Sequence, residues 1–270
     1  MALQGQSRHA LTLKPYDGEG FAGKALRERG GTLYRFDREQ LRLERGGEIR
    51  AFPIAWLFGA GHFARTPVLS VDGRWVEHRL SWYATPNRLS LTPGHSPEPS
   101  SSWEESVGVV QSEKNAVRCF GCHMTANRPG VHCESCHGAQ GQHPVAKTIR
   151  RDRSVAACAG CHRSPLREYA APAPEMEDPL SVRFAPVGLT VSRCYTGSRR
   201  AKQPLDCVTC HDPHTDAGPR ASYDAACLSC HVRRARAACP RGPECVSCHM
   251  PQSTPLPYLT FTDHRIRKPD

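Results

Sequence analysis

Apolar and polar residues alternate in short runs along the first hundred positions, a period of two that marks half-buried strands. Thr32-Leu33-Tyr34-Arg35-Phe36 is one such run, and Gln40-Leu41-Arg42-Leu43-Glu44-Arg45 is another. Gly46-Gly47 reads as a turn before Glu48-Ile49-Arg50-Ala51-Phe52. Val68 to Val71, the pair Asp72-Gly73, and Arg74 to His78 read as a hairpin, because Asp-Gly accepts the positive φ values of a primed turn. In this reading His78 is an exposed strand residue. Thr92 to Ser102, rich in Pro and Ser, reads as a linker.

Past about residue 110 the alternation fades. Short helices are expected at Glu104 to Lys114, Ala156 to Arg163 and Tyr223 to Arg236, with Pro-rich joins at Ala171 to Pro174 and Asp178-Pro179. The chain therefore divides into a β-rich region over residues 1–110 and a second domain over residues 111–270. No run of about 18 apolar residues is present, so no membrane-spanning helix is expected.

Composition changes this picture. Hydrophobic residues make up 39% of the 270, below the roughly 45–50% of ordinary globular chains. Fourteen Cys and fourteen His accompany that lean core, so something other than side chains is expected to fill the middle.

The cysteines begin at Cys119, and twelve of them form six Cys-x-x-Cys-His segments. Their thiol pairs are Cys119 and Cys122, Cys133 and Cys136, Cys158 and Cys161, Cys207 and Cys210, Cys227 and Cys230, and Cys245 and Cys248. The histidines that follow are His123, His137, His162, His211, His231 and His249. This spacing suits covalent attachment of haem c: two thiols bond the two vinyl groups, and the adjacent imidazole reaches the iron. Zinc ribbons also use Cys-x-x-Cys but need no histidine next to it. With fourteen His in 270 residues, six of six by chance has odds of roughly one in 10⁷ to 10⁸. A thioredoxin-like redox pair comes singly on an α/β scaffold, so six haem c groups are the expected cofactors.

The remaining cysteines, Cys194 and Cys239, suggest a disulfide or a pair of unpaired thiols. The formal charge of +10 would ordinarily suggest nucleic acid or an acidic surface. Twelve propionates and six ferric centres bring it to about +4 oxidised and about −2 reduced, so the basic residues read as counter-charges and nucleic acid is not an expected partner.

Low-spin electron carriers need a second axial ligand on each iron. His214, in Cys207-Val208-Thr209-Cys210-His211-Asp212-Pro213-His214, is aimed away from its own haem by Pro213 and can serve a neighbour. His143 lies on a flexible glycine-containing run after His137; His264 has Asp263 beside it to orient the ring; His62 follows the glycine-rich Gly59-Ala60-Gly61; His9 is a fifth candidate. His95 and His132 compete for the last place, and Met124 and Met250 are poorly aimed.

These motifs resemble those of the multihaem cytochrome c family that includes the tetrahaem carriers of ammonia oxidisers. The resemblance rests on Cys119-Phe120-Gly121-Cys122-His123-Met124-Thr125, Gly130 to Gly138, Ser192-Arg193-Cys194-Tyr195, Cys207 to His214, Cys245 to Pro251 and Thr262 to Ile266. Gly61 to Arg65 and Leu80 to Tyr83 are similar to segments of members with a β-rich N-terminal region. It implies haems stacked in close pairs with bis-histidine ligation. Family members often carry a further Cys-x-x-Cys-His ahead of a segment similar to Ser7-Arg8-His9; this chain begins after it.

From Cys119 to His249 there are 131 residues, or about 22 per haem, too few to wrap each in its own core. The expected fold is a multihaem cytochrome, mostly irregular with short α-helices around stacked haems, plus a small β-rich N-terminal region. The expected function is electron transfer, with redox proteins, a filament of like subunits or a membrane redox complex as partners. A rival is an oxidoreductase with one open haem acting on a nitrogen or sulfur compound. No Cys-x-x-Cys-Lys is present, and surplus histidines argue for closed coordination. Thioether attachment implies a periplasmic or extracellular location. Met1 to His9 lacks the apolar core of a secretory signal, so residue 1 reads as a mature start, a truncation or a misplaced initiation codon.

Overall fold

A computed structural model describes residues 4–138, 154–162, 178–201, 204–238 and 244–268. The chain forms two compact units, Met1–Gln140 and Gly141–Asp270.

The alternating runs of the first unit become a ten-stranded antiparallel sheet. Its strands are β1 (Leu13–Pro15), β2 (Ala25–Arg27), β3 (Leu33–Phe36), β4 (Gln40–Arg45), β5 (Glu48–Phe58), β6 (Ala64–Val71), β7 (Arg74–His78), β8 (Leu80–Tyr83), β9 (Arg88–Leu91) and β10 (Gly108–Val110). The order is β10-β7-β6-β5-β4-β3-β2, with β1 on β5 and β8 joining β6 to β9, so the sheet nearly closes on itself. Tyr34, Phe36, Leu41, Leu43, Ile54, Leu57, Leu69 and Val76 fill the inside. Each is worth about 1.5–3 kcal/mol of hydrophobic burial. This corrects the expected fold class. The described chain is strand-rich around a large wrapped sheet, not mostly irregular with a small β appendage, because this unit supplies its own hydrocarbon core.

One irregularity in β5 re-aims two aromatic side chains. Ile54 pairs with Leu69 and Trp56 with Val68, leaving Ala55 as the extra residue of a β-bulge. An extra residue shifts the inward–outward alternation by one. Ile54 and Leu57 both face the core, and Trp56 and Phe58 are left half-buried on the other side.

The turn Asp72-Gly73 has φ of 50 and 73, the positive values that its residues predict. His78 is not exposed: it is fully buried, with Nδ1 2.6 Å from the Val107 carbonyl. Thr92 to Ser102 is no loose linker either. Arg45 Nη1 donates to the Ser100 carbonyl at 2.8 Å, and Glu28 accepts from the Ser100 amide and hydroxyl at 3.2 and 2.6 Å. Glu28 also holds Arg79 at 2.6 Å, with both side chains almost wholly buried. These charged side chains bind loop backbone, which a reading from Pro and Ser content does not see. The helix expected over Glu104 to Lys114 stops early as α1 (Trp103–Val107). Gly108 ends it at φ 139, where an added Cβ would lie 2.1 Å from the Glu77 carbonyl, and the chain joins β7 as β10.

After β10 come α2 (Glu113–His123), the two-residue strands β11 (Met124–Thr125) and β12 (Arg128–Pro129), and α3 (Cys133–His137). The second unit holds α4 (Val155–His162), α5 (Ala185–Val191), α6 (Arg193–Ser198), α7 (Asp224–Ala238), α8 (Cys245–His249) and the hairpin β13 (Gln252–Leu256) with β14 (Leu259–Thr262). Short 3-10 turns lie at Pro179–Arg183, Cys207–Thr209 and Arg220–Tyr223. Among the described residues no helix is long and apolar enough to cross a membrane.

Candidate functional site

Five of the Cys-x-x-Cys-His segments lie on α-helical backbone, where positions i, i+3 and i+4 share one face, and the fourth opens on the 3-10 turn Cys207–Thr209 and closes with the His211 amide donating to the Cys207 carbonyl at 2.9 Å. Two thiols and an imidazole therefore present together on a single turn. In α2, α3, α4 and α8 the histidine is the last residue of the helix.

Local hydrogen bonds fix these turns. Ser112 caps α2 by accepting from the Asn115 amide at 3.2 Å. Asp206 accepts from the Thr209 amide at 2.7 Å and its hydroxyl at 2.6 Å, a reciprocal cap over the fourth motif. Asp224 Oδ1, at the start of α7, accepts from the Val246 amide in α8 at 2.8 Å. Arg220 donates to the Val246 and Met250 carbonyls at 3.0 and 2.9 Å and to Thr262 Oγ1 at 3.0 Å. The fifth and sixth motifs are thus tied to each other and to β14.

The first motif is seated on the wrapped sheet. Phe120 packs edge-on or tilted against Trp56, Phe58 and Trp75, with ring centres 6.2, 5.4 and 5.4 Å away. The edge-on contact of Phe58 with His123 is at 5.0 Å. The bulge at Ala55 is what turns Trp56 and Phe58 toward α2.

Ring tautomers follow from the partners, because a carbonyl only accepts. His123 Nδ1 lies 3.2 Å from the Thr12 carbonyl and 2.8 Å from its hydroxyl; His249 Nδ1 lies 2.7 Å from the Arg267 carbonyl; His264 Nδ1 lies 2.9 Å from the Thr262 carbonyl. Each of these rings carries its proton on Nδ1 and keeps the Nε2 lone pair for a metal, the arrangement of a ligating histidine. Burial lowers the proton affinity of His123 and His264, and their backbone hydrogen bonds pull the other way. Asp263, expected to orient His264, instead pairs with Arg265 at 2.6 Å, and the Thr262 carbonyl holds the ring.

In the second unit the thiols converge. A side-chain hydrogen bond to Cys158 and then burial push the Cys207 thiol up. Burial, followed by Cys245, Cys210 and Cys194, raises Cys227 to about 11. Burial and Cys230 raise Cys194. Cysteines of the third to sixth motifs therefore lie within electrostatic reach of one another. His211, of the fourth motif, and His264 stand 6.3 Å apart between ring centres with planes 33° apart. Two metal–imidazole bonds of about 2.0 Å, with about 1.1 Å from each nitrogen to its ring centre, span about 6 Å. The donor set and this spacing fit haem c.

The other candidates are scattered. His9 sits beside the second motif, its carbonyl accepting from the Val131 amide at 2.9 Å. His62 is exposed and edge-on to Phe63 at 4.6 Å. His214 is exposed, with Nδ1 3.0 Å from Asp212 Oδ1. His132 turns Nε2, not Nδ1, to a carbonyl, that of Pro129 at 2.8 Å. His95 is half-buried, and burial and then the Arg79 charge lower its proton affinity. His143 and Cys239 lie outside the described residues. Among the described residues no group of three or more His, Cys, Asp or Glu is arranged to hold a metal ion by itself.

Sequence reading missed Thr12, Trp56, Trp75, Asp206, Arg220 and Asp224. Only Asp206 carried a readable signal, an Asp three residues ahead of Thr209.

Comparison with known proteins agrees with this geometry. Residues 200–236 match the family model of the doubled CXXCH motif, which spans the fourth and fifth segments. Across 98% of this chain and 76% of the other, the fold superposes on the crystal structure of the outer cell wall cytochrome OcwA with a TM-score of 0.60 at 12% identity. The chain shares its fold with that protein. With the doubled motif, this supports a multihaem c-type cytochrome whose cofactor is haem c. No curated protein matches the sequence.

Proposed function

We propose that this chain is a hexahaem c-type cytochrome that carries electrons outside the cytoplasm and has no catalytic iron of its own. The observation that carries this reading is the pair His211 and His264, whose ring centres lie 6.3 Å apart, a spacing at which both would hold one iron. Coordination by two imidazoles would close that iron to substrate and suit it to electron transfer. Haem supplies a one-electron ferric–ferrous couple when bound.

The chain's own residues do the rest. Six pairs of thiols tether the cofactors, and His123, His137, His162, His211, His231 and His249 are the proximal ligands. His264 is the partner of His211; His9, His62, His143 and His214 are the further distal candidates, ahead of His95 and His132. Nδ1–H bonds from His123, His249 and His264 to carbonyls hold each ring in one orientation. Convergence of the thiols of four motifs supports closely packed haems in the second unit. Cys194 and Cys239 complete the assignment as a disulfide. The kinship with tetrahaem carriers rests on the attachment segments and on Ser192 to Tyr195 and Thr262 to Ile266. A shared fold with an outer cell wall cytochrome supports an extracellular or periplasmic setting, with redox proteins or further copies of this chain as partners.

Pyridine haemochrome assay with intact mass tests the count: six covalent haems are expected, and colourless protein of bare polypeptide mass would overturn the reading. His264→Ala tests the axial pair, with the expected appearance of one high-spin ferric signal that binds added cyanide. Unchanged low-spin spectra would remove His264 from the ligand set.

A further inference from the structure

The proximal rings are not held alike. His249 meets a single acceptor, the Arg267 carbonyl at 2.7 Å. His123 meets two atoms of one residue, the Thr12 hydroxyl at 2.8 Å and, farther off, the Thr12 carbonyl at 3.2 Å. That carbonyl is already committed, since it accepts from the Gly59 amide at 2.8 Å. Gly59 has little freedom to move away: its φ is +102, and a Cβ there would lie 2.4 Å from the Ala64 carbonyl. Strand geometry fixes the carbonyl, and Phe58 closes against the ring at 5.0 Å. The hydroxyl is therefore the nearer and less committed acceptor for the His123 Nδ1 proton.

We propose that Thr12 is a positioning residue whose hydroxyl sets the donor strength of His123, and through it the reduction potential of the iron that His123 holds. The inference rests on the haem reading of the first motif. A hydrogen bond from Nδ1–H makes the imidazole more basic, and a more basic ligand favours ferric over ferrous iron. Thr12 thus holds this potential down. Loss of the hydroxyl leaves only the distant, shared carbonyl, and the potential rises.

The experiment uses full-length, haem-loaded protein with wild-type Thr12, Thr12→Val and Thr12→Ser. Each is titrated spectroelectrochemically on the α-band and its haem content counted. In Thr12→Val one haem's share of the amplitude should move to higher potential, a shift of about three- to tenfold in its ferric–ferrous equilibrium. Tenfold is about 59 mV for one electron. Thr12→Ser, which keeps the hydroxyl, should titrate like wild type. Superimposable Val and wild-type curves at equal haem content overturn the role of Thr12 and leave the haem reading intact. Loss of one haem from Thr12→Val overturns it too, because Thr12 would then be needed to build the site rather than tune it. Thr12→Ala serves where the valine variant does not fold. Colourless wild-type protein sinks the haem reading itself.

Discussion

The first unit buries Tyr34, Phe36, Leu41, Leu43, Leu57 and Leu69 in one continuous cluster, with Phe21, Leu80 and Leu89 packed into it. The second unit, among its described residues, buries Val155, Ala159, Val182, Val187, Leu189 and Val246, all of them small or aliphatic. Both units carry Cys-x-x-Cys-His turns, so the motif does not cause the difference. A wrapped sheet closes around side chains, and the first attachment turn docks on its outside through Phe120. In the second unit short helices meet where their thiols converge, and their own hydrocarbon is too sparse to offset the entropy of ordering the chain. On the proposed haem reading, cofactor would be an accessory to the first unit's fold and would complete the sparse core of the second.

The largest expected effect breaks the molecule along that line. Protein made without haem attachment should keep a cooperative thermal transition and hydrogen-exchange protection at Leu43, Leu57 and Leu69. Amides of α5, α7 and α8 should exchange without protection. Equal protection in both units would end the comparison.

Within the first unit, the buried pair of Arg79 and Glu28 is the next test. Burial pushes the Glu28 carboxyl up, but the Ser100 hydrogen bonds and Arg79 outweigh it and hold the group below its usual range. Arg79→Met leaves that carboxylate buried without its cation and should cost about 3–5 kcal/mol in denaturant unfolding. Covalent haem content should not change.

A pH series sharpens the same contrast. Burial holds His78 down to about 3, with His95 and Arg79 pushing it down and Val107 and Glu28 pulling it up. The unfolded chain takes up that proton near 6.5, so acidification favours unfolding from there down to about 3. Each pH unit in that window removes about 1.4 kcal/mol per proton. Glu28 acts in the same direction at lower pH, since a carboxylate with a depressed folded value loses its contribution as pH falls. His78→Asn keeps an N–H toward Val107 and should flatten the slope between pH 6.5 and 4. An unchanged slope would assign the acid sensitivity elsewhere.

His78 also marks where sequence reading runs out. Runs at 33–36, 40–45 and 74–78 read as strands because alternation survives in them, and the six attachment motifs are legible because their chemistry needs fixed spacing. Alternation puts His78 on the face of Val76, but which face of the strand points inward is a tertiary fact, settled by closure of the sheet. The bulge at Ala55 reverses the faces within β5 and leaves no mark in composition. Thr12 and His123 are 111 positions apart and meet only because β1 pairs with β5. The approach of His264 to His211 is of the same kind, a contact that sequence spacing does not announce.

The smallest effect probes the second unit from inside. Asp206 satisfies the Thr209 amide and hydroxyl at the fourth motif, and the His211 amide donates to the Cys207 carbonyl at 2.9 Å within the same turn. Asp206→Ala removes the cap, for a local cost on the order of 1 kcal/mol. That is about fivefold faster exchange of the His211 amide in haem-loaded protein, with the visible spectrum unchanged. Thr209→Val removes the other half of the cap, and the double variant should cost less than the two together, because both lose the same contact. In protein without haem the variants should match wild type, since no turn remains there to cap. A cap effect that persists without haem would show that this turn folds on its own hydrogen bonds, and the division drawn between the units would then have to run through the second unit instead of between the two.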